Sequence, residues 1–331
     1  MKKLIIYTIG LCVLMSGTLY AQKKLAQTGF QFLSVGVDSR AAAMGEAYTT
    51  VEGVSSAIFH NPAGMARLNS TFDFSANHTN WIADINYNAI SAAVNPAEGR
   101  YGVLGLTATW VDYGEFLGTM VWRNSQEYVD TGTLHPQALA LGVGYAKYIT
   151  DRFAVGGVIR SVTQSLGNSI LVDQTSATGL RVKKYAKSTL SYDFGTIFRT
   201  GFKSLSFGMS VRNFSREVKF IEEAFQLPLT FRMGISMNVL DFVNSGATNN
   251  NALWVSVDAA HPRSHPEYIN MGVEYRFMNK LMARAGYLTN QDERGLTYGL
   301  GVQLFGVGID YAYTPFGVFN NVQHVTIRFS L

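Results

Sequence analysis

Tyr268-Ile269-Asn270-Met271-Gly272-Val273-Glu274-Tyr275-Arg276-Phe277 is the stretch that decides the fold. Ile, Met, Val, Tyr and Phe occupy every second position, and Asn, Gly, Glu and Arg lie between them. Successive side chains of a β-strand point to opposite faces, so the pattern predicts a strand with one apolar face and one small or polar face. Residues 295–305, 306–314 and 322–331 repeat it. The end of the chain is therefore predicted to be a series of amphipathic strands.

The alternation extends back to Ser70 and divides into about fourteen segments of nine or more residues. Such lengths suit tilted membrane strands, which need roughly 9–11 residues, better than the strands of a soluble sandwich. In 101–112 the two faces are poorly separated, since both carry apolar residues. The predicted strands are 71–79, 86–94, 101–112, 136–149, 152–165, 186–200, 204–213, 228–239, 252–261, 267–278, 280–289, 295–305, 306–314 and 322–331.

The connections between these segments alternate in length. The first, third and later odd connections are mostly long: 80–85, 113–135, 166–185, 214–227, 262–266, 290–294 and 315–321. The even ones are mostly tight: 95–100, 150–151, 201–203, 240–251, 278–280 and the join near Gly306, with 240–251 as the long exception. An up-and-down outer-membrane barrel with both termini in the periplasm has this asymmetry, because its long loops lie outside the cell.

The composition agrees with a membrane barrel. Charged residues make up 15% of the chain, against about 25% in soluble domains. The formal charge is +4 and no basic stripe is present, so nucleic acid is not an expected partner. The alternative of a secreted, soluble β-sandwich fits the long segments less well.

The N-terminus has the pattern of a cleaved signal peptide over residues 1–21. Lys2 and Lys3 precede an apolar core from Leu4 to Met15, and Ala21 offers a small residue for cleavage. An uncleaved membrane anchor is the alternative. Cleavage removes Cys12, the sole cysteine, so the mature protein has no thiol for a disulfide or a metal site. Export by this signal predicts localisation in the outer membrane of a Gram-negative cell.

Residues 22–69 lack the alternation and are predicted to form a plug inside the barrel of residues 70–331. Asp38 or Ser39 can cap a short helix, and a second helix is expected from Val54 to His60. A turn is expected at 61–64, because Pro62 disfavours a helical conformation in the residue before it. The predicted class is an all-β, about fourteen-stranded, antiparallel transmembrane barrel with an N-terminal helical or irregular plug.

A barrel of this width needs internal filling. About eight strands are filled by side chains and sixteen or more leave an aqueous channel, so fourteen lies between. Many predicted inward residues are small, which leaves space for the plug. These are Ala138, Ala140, Gly142, Gly144, Ala146, Gly156, Gly208, Gly234, Gly272, Gly299 and Gly301.

Charged residues also occupy predicted inward positions, where they avoid the lipid. They either anchor the plug and solvate the lumen, which we favour, or line a path for ions or substrates. They are Arg160, Asp193, Arg199, Arg212, Arg232, Asp258, Glu274, Arg276, Arg284, Asp310 and Arg328.

Aromatic residues lie near the ends of the predicted strands. This suits the interfacial girdles of a membrane barrel, although the ordinary β-propensity of aromatics explains it as well. Examples are Trp81, Tyr113, Tyr148, Phe153, Phe202, Tyr268, Phe277 and Tyr287.

The N-terminal block resembles a known family. Gly36-Val37-Asp38-Ser39-Arg40-Ala41-Ala42-Ala43-Met44-Gly45-Glu46-Ala47-Tyr48 and Ser55-Ser56-Ala57-Ile58-Phe59-His60-Asn61-Pro62-Ala63-Gly64-Met65-Ala66 resemble the PorV/PorQ family. That family is similar to the FadL long-chain fatty-acid transporters in its signal peptide, N-terminal hatch, Asn-Pro-Ala motif and fourteen strands. The match covers residues 30–68 specifically and the barrel diffusely. The motif residues are Arg40, Met44, Gly45, Asn61, Pro62, Ala63 and Gly64.

The resemblance implies two functions. PorV-like proteins are non-enzymatic components of type IX secretion, which receive cargo proteins with C-terminal sorting domains at the translocon. FadL-like proteins pass hydrophobic small molecules inward past the hatch. The partners expected are outer-membrane lipid, with either the translocon and its cargo or apolar ligands.

Catalytic chemistry is not expected, and neither is a cofactor. His261 and His265 are four residues apart, but Pro262 and Pro266 place them in a loop, so a metal site is not predicted. An outer-membrane hydrolase, the third function considered, would need a Ser–His pair on the wall. Ser75 and His78 have a conceivable spacing that we attribute to chance.

Overall fold

The structure is a computed structural model that describes residues 28–123, 125–172, 180–220, 222–242, 250–291 and 294–331. The predicted signal peptide and the first part of the predicted plug, 22–27, lie outside the described residues. No helix in the described ranges is long and apolar enough to cross a membrane.

Fourteen antiparallel strands form a closed barrel, as the alternation predicted. Each strand pairs with its neighbours in sequence, and the last strand pairs with the first, with Phe74 opposite Phe329. The strands are β1 Phe72–Asn80, β2 Asn86–Val94, β3 Val103–Asp112, β4 Gln137–Thr150, β5 Phe153–Val172, β6 Leu180–Arg199, β7 Ser206–Ser215, β8 Thr230–Asn238, β9 Ala252–Pro262, β10 Tyr268–Phe277, β11 Leu281–Leu288, β12 Leu296–Leu304, β13 Val307–Thr314 and β14 Val322–Ser330.

The two faces of the barrel wall separate by residue type. Ile269, Val273, Leu300, Ile309 and Phe329 are between 38% and 65% exposed on the outer face. The alternate positions of the same strands are buried in the lumen. The apolar side chains thus form the lipid-facing surface and the small and polar side chains form the inner wall.

The extracellular ends of β5 and β6 differ from the prediction. The loop expected at 166–185 is largely strand, since β5 continues to Val172 and β6 begins at Leu180. Beyond the membrane both faces of a strand meet water, and the run Arg181-Val182-Lys183-Lys184 has no apolar face to reveal the strand. The loops predicted at 113–135 and 214–227 likewise contain small hairpins, which pair Phe116–Val121 with Tyr128–Leu134 and Val218–Lys219 with Ala224–Phe225.

The N-terminal segment, residues 28–69, lies inside the barrel and is called the plug below. Its elements are a 3-10 helix Gln31–Ser34, the helix α1 Ser39–Ala43, and 3-10 helices Ser55–Phe59 and Pro62–Arg67. Asp38 caps α1 by accepting a hydrogen bond from the Ala41 N–H. The turn predicted at 61–64 is instead the start of a helix, because Pro62 takes the first helical position after the Asn61 cap.

Several aromatics predicted for the interfacial girdles face the plug instead. Trp81, Tyr113 and Tyr148 pack against the apolar cluster that the plug forms with the inner wall. Phe277 and Tyr287 are exposed on the outer face, as a girdle requires. Aromatic residues near strand ends therefore divide between the lipid surface and the mouth of the lumen.

The inner wall has glycine where the backbone of the plug contacts it. A Cβ added at Gly286 would lie 2.1 Å from the backbone N of Gly45, and one at Gly272 would lie 2.6 Å from the Met44 carbonyl oxygen. Both distances are far below van der Waals contact, so the wall glycines allow backbone to lie against backbone.

We expect Gly286→Ala to displace the plug, because the new methyl group cannot share its space with the backbone of Gly45. The readouts are protease cleavage of the plug and single-channel conductance, and both should rise. Gly157→Ala is the matched control, since a Cβ there meets nothing nearer than 3.4 Å. Equal cleavage and conductance in the two variants would contradict the packing described.

Candidate functional site: the plug and the inner wall

The plug crosses the lumen from one end to the other. Near its start, the Gly29 N–H donates to the Gln226 carbonyl in the long loop between β7 and β8. Near its end, Arg67 donates to the Asp151 carbonyl in the tight turn between β4 and β5. Long loops lie outside the cell in this class of barrel, so the plug runs from the extracellular mouth to the periplasmic end.

One carboxylate fixes the middle of the plug to the wall. Glu274 of β10 is fully buried and accepts two hydrogen bonds from Arg40 of the plug, at 2.7 and 2.9 Å. It also accepts from Arg276 and Arg284, each at 2.6 Å. Arg284 donates in turn to Asp310 of β13 at 2.6 Å. Two carboxylates therefore hold three guanidinium groups together across the plug and three strands.

A second carboxylate holds the chain after α1. The Oδ2 atom of Asp258 accepts from the backbone N–H of Tyr48 and of Thr49, both at 2.9 Å, and from the Thr49 hydroxyl at 2.6 Å. These donors follow the sharp bend of the plug at Gly45, whose φ is +60°. A carboxylate that accepts several backbone N–H groups is a strong anchor, because each of these bonds is charge-assisted.

Between these anchors, the Met44-Gly45 pair lies flat on the wall. The Gly45 N–H donates to the hydroxyl of Thr297 at 3.1 Å, and the same hydroxyl donates to the Ala43 carbonyl at 3.0 Å. Met44 is 1% exposed. Gly45 suits this position because its left-handed backbone strains any residue with a side chain.

The Asn61-Pro62-Ala63-Gly64 motif joins two parts of the plug to the wall. The Asn61 amide donates to the Thr49 carbonyl at 2.7 Å and to the Thr196 carbonyl of β6 at 3.1 Å. Its oxygen accepts from the Ala63 N–H at 3.1 Å. A Cβ at Gly64 would lie 2.3 Å from the Val51 carbonyl oxygen, so this site needs glycine.

All eleven inward charges named from the sequence lie on the lumen side of the wall. Their partners vary: Arg160 pairs with Asp193, Arg199 with Glu52 of the plug, and Arg328 with Gln303. Arg232 donates to the Glu46 carbonyl at 2.9 Å. Arg212 is buried and makes no such bond to the residues described.

Sequence reasoning missed other polar contacts of the plug. Glu52 lies between two arginines, 3.0 Å from Arg67 Nε and 2.6 Å from an Arg199 nitrogen. Asp73 of β1 accepts from the Ser55 N–H at 2.7 Å. The alternation of β1 in the sequence already places Asp73 on the inner face.

His60 of the plug is buried, and neither of its ring nitrogens has a hydrogen-bond partner in the described residues. Burial lowers the pKa of this imidazole well below its usual range, because the charged form loses its hydration. His60 is therefore neutral in the folded protein at neutral pH and has one N–H to donate.

Aromatic rings close the extracellular mouth. Phe30 of the plug lies 6.4 Å from Phe220 and 5.9 Å from Phe225, both in the β7–β8 loop, and those two rings stack at 5.6 Å. Across the mouth, Trp81 and Phe316 make an edge contact at 5.4 Å. Aromatic rings therefore cover two sides of the mouth, and the Arg294 guanidinium lies over the Trp81 and Phe316 rings at 5.7 and 5.5 Å.

Two larger hollows flank the lumen. A polar cavity of about 360 Å³ opens at the periplasmic end. Its lining includes Arg40, Glu52, Arg199, Lys203 and Arg276. A mostly apolar groove of about 560 Å³ lies on the outer wall across β1 to β6.

Ser75 and His78, the pair considered for a hydrolase, lie on opposite faces of β1. His78 bonds to Asn88 at 2.8 Å on the outer face, whereas Ser75 faces the lumen and bonds to Ser91 at 2.9 Å. His261 lies 2.9 Å from Glu267. Within the described ranges, no group of three His, Cys, Asp or Glu side chains could hold a metal ion.

Comparison with known proteins identifies the fold. No protein-family model and no curated protein matches the sequence. Among solved structures, the toluene transporter TbuX of Ralstonia pickettii has a TM-score of 0.58 at 13% identity, over 89% of this chain and 98% of that one. The fold is FadL-like. Two further structures agree. The toluene transporter TodX of Pseudomonas putida has a TM-score of 0.57 at 10% identity, over 93% of this chain and 98% of that one. A FadL homologue of Pseudomonas aeruginosa has a TM-score of 0.51 at 10% identity, over 93% of this chain and 100% of that one.

A FadL-like barrel is an outer-membrane fold, and this agrees with the localisation expected from the sequence. The similarity extends over nearly the full length of each relative. At 10–13% identity it concerns the fold alone.

We expect Glu274→Gln to free the plug, because three arginines then lose the carboxylate that they surround. Removing one partner of a buried ion pair costs about 3–5 kcal/mol. Urea unfolding followed by tryptophan fluorescence should show this loss of stability, and single-channel conductance should rise. Glu223→Gln is the control, since Glu223 is exposed in a loop. If both variants behave like the unmodified protein, Glu274 does not tether the plug.

Proposed function

We propose that this barrel carries small hydrophobic molecules inward across the outer membrane. The observation that carries the proposal is the apolar surface at the extracellular mouth, where Phe30 of the plug meets Phe220 and Phe225 of a loop. A hydrophobic solute gains free energy by leaving water for such a surface, at roughly 25 cal/mol per Å² buried. The toluene transporters TbuX and TodX, which have the same fold, support this proposal.

The plug has a weakly held part at this mouth. Residues 29–37 contact the barrel mainly through the apolar cluster of Phe30, Phe32 and Leu33 and through the Gly29–Gln226 hydrogen bond. From Ser39 onward, charged and hydrogen-bonded anchors follow one another, beginning with the Ser39–Thr326 contact at 2.7 Å. In the proposed transport cycle, a solute displaces the first part while the Glu274 and Asp258 anchors hold the rest.

The plug lies inside the lumen in this conformation, so the proposal requires motion. The polar periplasmic cavity begins below Arg40 and Met44, and the aromatic mouth lies above them. Local displacement of lightly held segments is common at binding sites, because they have the lowest local stability.

The test is uptake of radiolabelled toluene by a deletion strain that carries the barrel on a plasmid. The intact barrel should restore uptake, and Phe225→Asp should reduce it several-fold, because a carboxylate in the mouth has to be desolvated for an apolar solute to pass. Phe305→Asp is the control, since Phe305 is fully exposed at a tight turn on the periplasmic end. Uptake that is unchanged by deletion would rule the proposal out.

A component of type IX secretion is the second candidate. The resemblance of residues 30–68 to the PorV/PorQ family favours it. So do the exposed apolar residues of the extracellular loops: Leu117 is 87%, Val121 87% and Val318 88% exposed. Apolar side chains that project into water in this way suit a protein partner.

This candidate predicts that a deletion strain retains cargo proteins with C-terminal sorting domains in the periplasm. It also predicts that the double variant Leu117→Ser/Val121→Ser lowers their release while toluene uptake stays unchanged. Normal release of cargo from the deletion strain would exclude the secretion role. Because each candidate has its own readout, failure of one leaves the other intact.

A further inference from the structure

A small cavity between the plug and the wall is lined by side chains whose hydrogen-bond donors have no partner in the described residues. It is lined by His60 of the plug, Arg160 of β5 and Arg212 of β7. The Nε atoms of both arginines and both ring nitrogens of His60 are buried, and none has a hydrogen-bond partner among the residues that the structure describes. The remaining lining is Phe32, Leu33, Val35, Gly36, Val37, Phe59 and Thr109.

Such a set of orphaned donors is costly without an acceptor. A buried donor that lacks a partner costs about 1–3 kcal/mol, and an unpaired buried charge costs several kcal/mol. In native proteins most buried polar groups are satisfied by protein atoms or by ordered solvent species. The two Nε–H groups and the one N–H of the neutral His60 ring are therefore three donors on one cavity without a protein acceptor, and they indicate an occupant that accepts hydrogen bonds.

The unpaired charge of Arg212 indicates that this occupant is an anion. The charged groups around Arg212 are the cations Arg160 and Arg232 and the carboxylates Asp193 and Glu46. Asp193 already accepts from Arg160 and from the Asn213 N–H. Glu46 approaches His60 no closer than 3.7 Å, too far for a hydrogen bond. Arg232 has Asp258 as a further carboxylate neighbour, whereas Arg212 forms no ion pair within the described residues and keeps its charge unpaired.

The size of the cavity limits the anion. Its volume is about 20 Å³, and a cavity needs roughly 10–15 Å³ by this measure to hold one water molecule. A single atom slightly larger than water fits, whereas a phosphate or an organic carboxylate does not. Apolar side chains such as Phe32 and Phe59 enclose the rest of the cavity.

We propose that this cavity is a halide site that holds one chloride ion between Arg160, Arg212 and His60. The ion accepts from the two guanidinium groups and from the N–H of the neutral imidazole. Because His60 belongs to the plug and both arginines belong to the wall, the chloride ion bridges the two. The site is separate from the aromatic mouth, and it does not depend on which solute or protein the barrel serves.

The proposal is tested on the purified full-length barrel in detergent. The thermal midpoint should be higher in sodium chloride or bromide than in sodium gluconate of the same ionic strength, because gluconate is too large to enter. Each tenfold rise in chloride above its Kd should raise the midpoint by roughly 3 °C. Crystals soaked in bromide should show an anomalous peak in the cavity.

Variants separate this site from general salt effects. Arg212→Met should abolish the difference between chloride and gluconate, because it removes the unpaired charge but keeps most of the side-chain volume. Should that variant fail to fold, Arg212→Lys, which keeps the charge but loses the Nε–H donor and the planar guanidinium group, should weaken the difference. Arg328→Met is the control: Arg328 lies in the lumen, does not line the cavity and donates to Gln303, so the difference should remain.

Equal midpoints in chloride and gluconate for the unmodified barrel would overturn the proposal. So would bromide peaks that lie only outside this cavity, or a chloride effect that persists in full in Arg212→Met.

Discussion

The ion pair between Arg40 and Glu274 joins the two parts on which this structure depends. Arg40 belongs to the plug, and Glu274 belongs to a barrel strand 234 residues away. Glu274 also accepts from Arg276 and Arg284, so departure of the plug would break the contact of Arg40 with a carboxylate that already balances two wall arginines. The same carboxylate thus positions the plug and makes the polar interior of the barrel tolerable in a membrane.

The plug and the wall have matching surfaces because the barrel is too wide to fill with its own side chains. Fourteen strands enclose more space than the inward residues occupy. The wall therefore has glycine where the backbone of the plug lies close, as at Gly272 and Gly286. It has a carboxylate where the plug offers backbone N–H groups or an arginine. The aromatic mouth is the exception, since apolar packing and one backbone hydrogen bond hold the first residues of the plug. This contrast in anchoring underlies the proposed entry of a hydrophobic solute at the mouth.

The barrel was predictable from sequence because the lipid imposes the alternation. Each spanning strand must be apolar outside, and residues such as Ile269 and Val273 show this directly. The prediction of strand ends and of aromatic positions failed where a residue no longer contacts lipid. The extensions of β5 and β6 lie in water on both faces, and Trp81 and Tyr148 face the plug although they lie at strand ends.

The sequence predicted single residues of the site but not which of them contact one another. Alternation placed Glu274, Asp258 and the arginines on the inner face, and the resemblance to known barrels drew attention to Arg40 and Asn61. The pairing of Arg40 with Glu274 joins residues far apart in sequence, and no local pattern encodes it. The unpaired state of Arg212 and the cavity beside it likewise depend on how plug and wall pack in three dimensions.

The N-terminal segment occupies the lumen, with α1 against the wall. The hydroxyl oxygens of Ser39 in the plug and Thr326 in β14 are 2.7 Å apart, so cysteines at these positions should form a disulfide with little movement. Mass spectrometry of the oxidised Ser39→Cys/Thr326→Cys variant tests this directly, because the chain has one natural cysteine, Cys12, outside the mature protein expected from the sequence. The peptides containing positions 39 and 326 should be recovered as a linked pair. Two free thiols that remain open to alkylation under oxidising conditions would contradict it.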